Sequence, residues 1–203
     1  MKKSLIITFL STSAFACANN SFSGVALGVN LGAASMRSKV TFTSSNATPT
    51  KRADDLGGEG LLAGVLLGFY KNVGKANLGL EYNFNVTSLR GTLRQTAPAL
   101  TTVSFTQKLK YENNFIFRIG VNVGNVVPYF KIGALIGKFK NIADGNITNA
   151  PQRTVARKNN LGLYCGVGAD IAINEKSAFN IDAGAGLYKR ISVSHGSSSY
   201  RET

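Results

Sequence analysis

The stretch LGLYCGVGADIAINEKSAFNIDAGAGLY, residues 161–188, constrains the fold more than any other. From Leu161 every second residue is apolar, through Leu163, Cys165, Val167, Ala169, Ile171 and Ile173, while Gly162, Tyr164, Gly166, Gly168, Asp170 and Ala172 fall between them. After INEKS the alternation restarts, with Phe179, Ile181, Ala183, Ala185 and Leu187 on one side and Asn180, Asp182, Gly184, Gly186 and Tyr188 on the other. A period of two sustained this long predicts two strands joined by a tight turn. One face is purely apolar, and the other mixes glycine, tyrosine and carboxylates.

The pattern recurs along the chain. Val25, Leu27, Val29, Leu31 and Ala33 alternate with Gly24, Ala26, Gly28, Asn30 and Gly32; Leu61, Ala63, Val65, Leu67 and Phe69 alternate with Leu62, Gly64, Leu66, Gly68 and Tyr70. Ala76 to Val86 alternates with Asn77 to Thr87 in the same way. The run 103–122 sets Val103, Phe105, Leu109, Tyr111, Phe115, Phe117, Ile119 and Val121 against Lys108, Lys110, Glu112, Asn114, Arg118 and Asn122, and 129–137 sets Phe130, Ile132, Ala134 and Ile136 against Tyr129, Lys131, Gly133 and Gly137. Short connections at 71–75, 123–126 and 174–176 alternate with long polar ones at about 36–57, 89–101 and 141–157. That order predicts an all-β, up-and-down antiparallel meander with its tight turns at one end and its long loops at the other. No convincing amphipathic helix interrupts it.

Two surroundings suit such strands. A soluble sandwich packs its apolar face inward and carries a charged face into water, whereas the mixed face here is mostly Gly, Asn, Ala and Tyr, a poor solvated surface. The strands also match the ~9–11 residues needed to cross a bilayer at a tilt. The apolar side is therefore expected to meet lipid, and the mixed side to fill a small closed barrel. Closure is required because hydrocarbon leaves an open sheet edge unsatisfied. Register is pinned, since a slip of one residue carries Glu81, Lys131, Asp170 and Asp182 into lipid.

The amino terminus has the parts of an export signal: a basic MKK, an apolar SLIITFLSTSAFA, and small residues at Ala14-Phe15-Ala16 or Ala16-Cys17-Ala18. Residues 1–18 are read as a signal peptide and 19–203 as the barrel domain. Lipid attachment at Cys17 is the alternative processing. Cleavage after Ala18 leaves Cys165 as the one remaining cysteine, so neither an internal disulfide nor a zinc cage is expected, and no cofactor.

With hairpins such as LGLYCGVGADIAINEKSAFNIDAGAGLY behind an export signal, the chain resembles the small eight-stranded outer-membrane barrels of Gram-negative bacteria. It is similar to the OmpA-like barrel and opacity-type porin families, which include surface antigens of intracellular alphaproteobacteria. The resemblance implies an eight-stranded transmembrane barrel with turns in the periplasm and loops outside. About seven strands are legible after the signal, and the chain finishes ISVSHGSSSYRET, too short for a loop and a full spanning strand. Either the last strand is truncated, or it is a stub around SSYRE, or the long first strand hides another.

Charged residues on the mixed face need partners once buried. Glu81, Glu112, Asp170 and Asp182 are expected to pair with Lys108, Lys110, Arg118, Lys131 and Arg190 in a network that plugs the interior; a narrow charged channel is the alternative. The net charge is +13, with Lys2 and Lys3 contributing two of it. Lys51, Arg52, Arg90, Arg94, Arg153, Arg157 and Lys158 lie on or beside the long loops, as do Lys39, Lys138 and Lys140. Such a rim attracts lipopolysaccharide phosphates or acidic glycans on a host cell surface through charge. Export and the lack of a nucleic-acid motif argue against nucleic acid. His195-Gly196-Ser197 resembles the His-x-Ser of an outer-membrane lipid A deacylase, but without an acidic partner it reads as a loop, and no catalytic residues are assigned.

Overall fold

The computed structural model describes residues 5–17, 22–43, 51–96, 102–147, 150–189, 192–195 and 198–202. All regular structure in them is strand: β1 (Leu5–Cys17), β2 (Gly24–Thr43), β3 (Lys51–Val73), β4 (Ala76–Thr87), β5 (Arg90–Thr96), β6 (Thr102–Val121), β7 (Val126–Ile147), β8 (Ala150–Ala172), β9 (Ser177–Tyr188), β10 (Ser192–His195) and β11 (Ser198–Glu202). Every pairing is antiparallel. β2 pairs with β3, β3 with β4, β4 with β6, β6 with β7, β7 with β8 and β8 with β9. β5 continues the stave of β4 beyond Ser88 and Leu89, again between β3 and β6.

The eighth stave is β1. It pairs with β2 from Ile6 opposite Arg37 to Cys17 opposite Ala26, and with β9 from Leu5 opposite Tyr188 to Ala16 opposite Ser177. The barrel is thereby closed, and its first strand lies ahead of the boundary at residue 18 expected from sequence. The residues read as the apolar part of an export signal also alternate as a strand does. Leu5, Ile7, Phe9, Ser13, Phe15 and Cys17 are buried, while Ile6, Thr8, Leu10, Ala14 and Ala16 are exposed. The SSYRE stub is β11, which with β10 forms a short hairpin on β2 farther out than β1 reaches.

The tight turns at 73–76 and 123–126 each carry a glycine in the left-handed region, Gly74 at φ 62° and Gly124 at φ 61°, where a Cβ is strained. The long connections are less loop and more strand than the sequence predicts. Residues 36–43, 51–57, 90–96 and 141–147 continue their ladders outward, because polar Ser, Thr and Arg side chains do not interrupt backbone pairing. At 22 residues, β7 is ~70 Å long, well beyond what a bilayer needs.

The outer surface explains this excess. Among the described residues thirty large hydrophobic side chains are exposed, including Leu27 at 68%, Leu61 at 70%, Leu163 at 68% and Ile173 at 65%; in water they form a surface no soluble domain carries. The outward apolar residues of β7 run from Val126 to Ile136, ~33 Å of strand and, at a tilt of ~40°, about 25 Å of height, the thickness of an outer-membrane apolar band. The interior is layered. Toward the outer end Ile7, Met36, Leu56, Leu109, Leu135 and Phe139 form an apolar plug. The polar residues occupy the middle, and Phe15, Cys17, Ala26, Tyr70 and Ala178 close the turn end.

One irregularity changes the reading of β6. The register against β7 shifts between Leu109 and Tyr111, so a β-bulge inserts Lys110 and exchanges the two faces of the strand. Below the bulge Glu112, Asn114, Ile116 and Arg118 face inward; above it Phe105, Gln107 and Leu109 do. The alternation drawn unbroken through 103–122 is therefore corrected: Phe105 and Leu109 line the interior, and Lys108 and Lys110 point away from it.

Candidate functional site

The polar middle of the barrel is organised around Arg118. Its guanidinium lies between two aromatic faces, 4.5 Å from the Tyr70 ring centroid and 4.3 Å from that of Tyr129, a cation–π arrangement strengthened by the exclusion of water. It pairs with Glu81 at 3.3 Å and with Asp170, and donates to Asn77 Oδ1 at 3.0 Å. Lys131 completes the chain, its Nζ 3.0 Å from both Glu81 Oε2 and Asp182 Oδ2 and 4.8 Å from the Tyr129 ring.

Hydroxyls and amides occupy the remaining acceptors. The Tyr70 hydroxyl donates to Glu81 Oε1 at 3.0 Å, Ser11 to Asp182 at 2.8 Å, and Asn180 to Asp170 at 2.8 Å and to the Tyr129 hydroxyl. Ser13 donates to Asn180 at 3.0 Å. Glycine makes the room for this cluster: a Cβ at Gly79 would sit 2.5 Å from Tyr70 Cδ1 and 2.8 Å from Arg118 Cγ.

Five of the nine residues expected in the network are brought together: Glu81, Arg118, Lys131, Asp170 and Asp182. Glu112 is buried inside the barrel but accepts a hydrogen bond from the Tyr188 hydroxyl instead of meeting a cation. Lys108 and Lys110 lie on the outside beyond the bulge, a correction to their interior placement. Arg190 lies outside the described residues. Tyr70, Tyr129, Asn77, Asn180, Ser11 and Ser13 were not foreseen as members. The first two were legible as inward-facing, but the sandwich they make with Arg118 joins the β6–β7 hairpin to Tyr70 on β3, a strand it does not pair with.

A small cavity of about 30 Å³ adjoins the network, lined by Asn30, Asn83, Asn114, Glu112, Lys131 and Asp182 among others. That is room for a few waters at most, and Oδ1 of Asn30, Asn83 and Asn114 has no hydrogen-bond partner among the described residues. No group of three or more His, Cys, Asp or Glu that could hold a metal ion occurs among the described residues. His195 ends β10, while Gly196 and Ser197 lie outside the described residues.

The expected basic rim gathers at the end opposite the tight turns. Lys51 and Arg52 open β3, Arg90 and Arg94 lie on β5, and Arg153, Arg157 and Lys158 lie on β8. Acidic residues share this end: Glu59 stands opposite Arg90, and Asp144 opposite Arg153. Arg90, Arg157 and Lys158 are exposed.

Among solved structures, the chain is similar to Ail, the attachment invasion locus protein of Yersinia pestis, crystallised with the heparin analogue sucrose octasulfate, at 11% identity over 93% of this chain and 99% of that one, with a TM-score of 0.27. It is also similar to the outer membrane protease OmpT of Escherichia coli, at 9% identity over 91% and 96% of the two chains, with a TM-score of 0.42. Similarity at this level says nothing about what the chain does. Comparison with curated proteins finds no match. The outer membrane protein beta-barrel domain family matches residues 4–201, nearly the whole sequence and every described strand of the closed barrel but the last residue of β11. The chain belongs to that family, and its place is the bacterial outer membrane.

Proposed function

We propose that the protein is a plugged, non-conducting surface barrel that acts as a structural and adhesin-like element and not as a catalyst. Its cation-rich outer end engages lipopolysaccharide and acidic glycans of a host cell surface. The observation that carries this reading is the filled interior. The Glu81, Arg118, Lys131, Asp170 and Asp182 network lies between an apolar plug and an apolar turn end, and eight-stranded barrels leave little space beyond their side chains. What reaches the outside is then the loop end, and the basic residues there supply a long-range attraction that weakens with salt.

Three measurements test it. Protein folded into planar bilayers is expected to show no unitary conductance; sustained steps that change on substitution of Arg118 overturn the plugged reading in favour of a narrow channel. Cells displaying the protein are expected to bind host cells or sulfated glycan, and to lose that binding when Arg52, Arg90 and Arg153 become Glu. Binding unchanged by those substitutions removes the adhesin-like role, and altered lipid A mass on expression replaces it with an enzyme.

A further inference from the structure

We propose that the barrel interior holds one hard monovalent cation of the sodium type, bound by side-chain amide oxygens beside Glu112. The site is the cavity of about 30 Å³ between the ion network, whose Lys131 and Asp182 line it, and the outer apolar plug, whose Phe9 and Leu62 line it. Asn85 stands opposite Glu112 across β4 and β6, and Asn83 stands opposite Asn114 one step toward the turn end. With opposed Cβ atoms ~5 Å apart and same-face neighbours ~7 Å apart along a strand, these four side chains form one compact patch of the inner wall. Asn30 reaches the patch from β2 across Gly64, donating to Asn85 Oδ1 at 2.9 Å. A Cβ at Gly64 would lie 2.4 Å from that oxygen and 2.6 Å from Asn30 Oδ1, so glycine is what lets the two amides meet.

The donors and acceptors of this patch do not balance. Asn30, Asn83 and Asn114 are more than nine-tenths buried and line the cavity, and Oδ1 of each lacks a hydrogen-bond partner among the described residues. The Asn30 nitrogen is engaged by Asn85, and the Asn85 and Asn114 amides hydrogen-bond Glu112. Turning the Asn30 amide over would set its oxygen against Asn85 Oδ1. Turning Asn85 or Asn114 over would set an oxygen against the carboxylate, so the free atoms at Asn30 and Asn114 are acceptors by necessity. Unmet acceptors in a dry interior are costly until something positive faces them.

Charge points to the same occupant. Among the described residues, the buried charged side chains are Glu81, Glu112, Asp170 and Asp182 against Arg118 and Lys131. Both cations are already shared among Glu81, Asp170 and Asp182, whereas Glu112 has the Tyr188 hydroxyl and the two amides for partners. A carboxylate buried this far pairs with a cation or ligates a metal ion. Water in the cavity would satisfy the amide oxygens and leave that charge unmet; a cation serves both. An all-oxygen donor set selects a hard ion, with amide oxygens standing in for its hydration shell. One carboxylate ligand, with the Lys131 ammonium nearby, suits a single positive charge over two. Enclosed by the plug above and the network below, the ion enters as the barrel closes and leaves as it opens. The inference stands on the interior geometry and not on the adhesin-like reading.

The test unfolds the whole chain with urea in a zwitterionic detergent and reads the folded fraction by gel mobility without boiling. A hundredfold rise in sodium chloride, with choline chloride holding ionic strength constant, is expected to lower the unfolding equilibrium constant at least tenfold, as a ligand of the folded state alone does. Glu112→Gln keeps the size of the side chain and is expected to abolish that dependence. Gly79→Val, which crowds the network without touching the cavity or its charge, is expected to keep it. Should Glu112→Gln fail to fold, Asn83→Ala with Asn114→Ala is expected to reduce the sodium effect at least threefold. Unfolding that is the same in sodium and in choline overturns the proposal, and so does a sodium effect that survives Glu112→Gln. Dependence on pH in place of sodium overturns it in favour of water beside a protonated carboxyl, and dependence on calcium in place of sodium in favour of a divalent ion. None of these outcomes depends on whether cells adhere.

Discussion

Lys131 Nζ lies 3.0 Å from Glu81 Oε2 although their strands, β7 and β4, are separated by β6. Only a barrel this narrow brings side chains from non-adjacent staves into contact across the interior. Each cation in the cluster holds two carboxylates, and Glu81 is the member both cations share.

That sharing predicts which substitution is worst. Glu81→Gln keeps the size of the side chain and removes one charge from two ion pairs, so Arg118 and Lys131 each retain a single carboxylate. Removing one partner from a buried pair typically costs about 3–5 kcal/mol. The expected result is a lower urea midpoint for unfolding in micelles; a midpoint within experimental error of wild type would mean that the network is not what holds the interior.

Gly79 tests the aromatic sandwich from the opposite strand. Gly79→Val places methyl groups against Tyr70 and Arg118, and overpacking of this kind costs roughly 1–3 kcal/mol. Gly57, where an added Cβ meets nothing within 4 Å, is the matched control, and Gly57→Ala is expected to leave stability near wild type.

The lipid-facing assignment is testable at Leu163, 68% exposed and opposite Ala134 in the apolar band. Leu163→Arg is expected to destabilise the barrel in a bilayer by roughly 2–4 kcal/mol if the site is near the midplane. In a soluble sandwich the same exposed position would tolerate Arg with little change, so a neutral result argues against membrane insertion.

β1 carries the largest single prediction. A chain of residues 1–203 folded into detergent is expected to show a heat-dependent gel shift. One of residues 19–203 is expected to lose it, because β2 and β9 then expose unpaired edges. An equal shift from the shorter chain would show that another segment closes the barrel. Amino-terminal sequencing of protein taken from outer membranes then reports which of the two roles of residues 5–17, export signal or closing strand, the cell retains.

The strands and their facing were legible in the sequence because a period of two is local, carried by residues such as Leu161 to Ile173 and Phe179 to Leu187. The inward positions of Glu81, Arg118, Lys131, Asp170 and Asp182 followed from the same periodicity. Two features were hidden. The alternation of residues 5–17 satisfies both an apolar export segment and a strand, so local pattern does not distinguish them. The bulge at Leu109–Tyr111 shifts the face of everything above it by a single residue, and the KLK of residues 108–110 looks the same with or without it.

The sequence by itself determined an antiparallel outer-membrane barrel, an apolar band of about the right height, and a set of inward charges that had to find one another. Tertiary structure decided the partners: which strand closes the ring, which aromatic rings hold Arg118, and that Lys108 joins Lys140 outside instead of Glu112 inside. The division has a physical cause. Facing is a property of one strand against its surroundings, whereas closure, register and pairing across the interior depend on several strands at once.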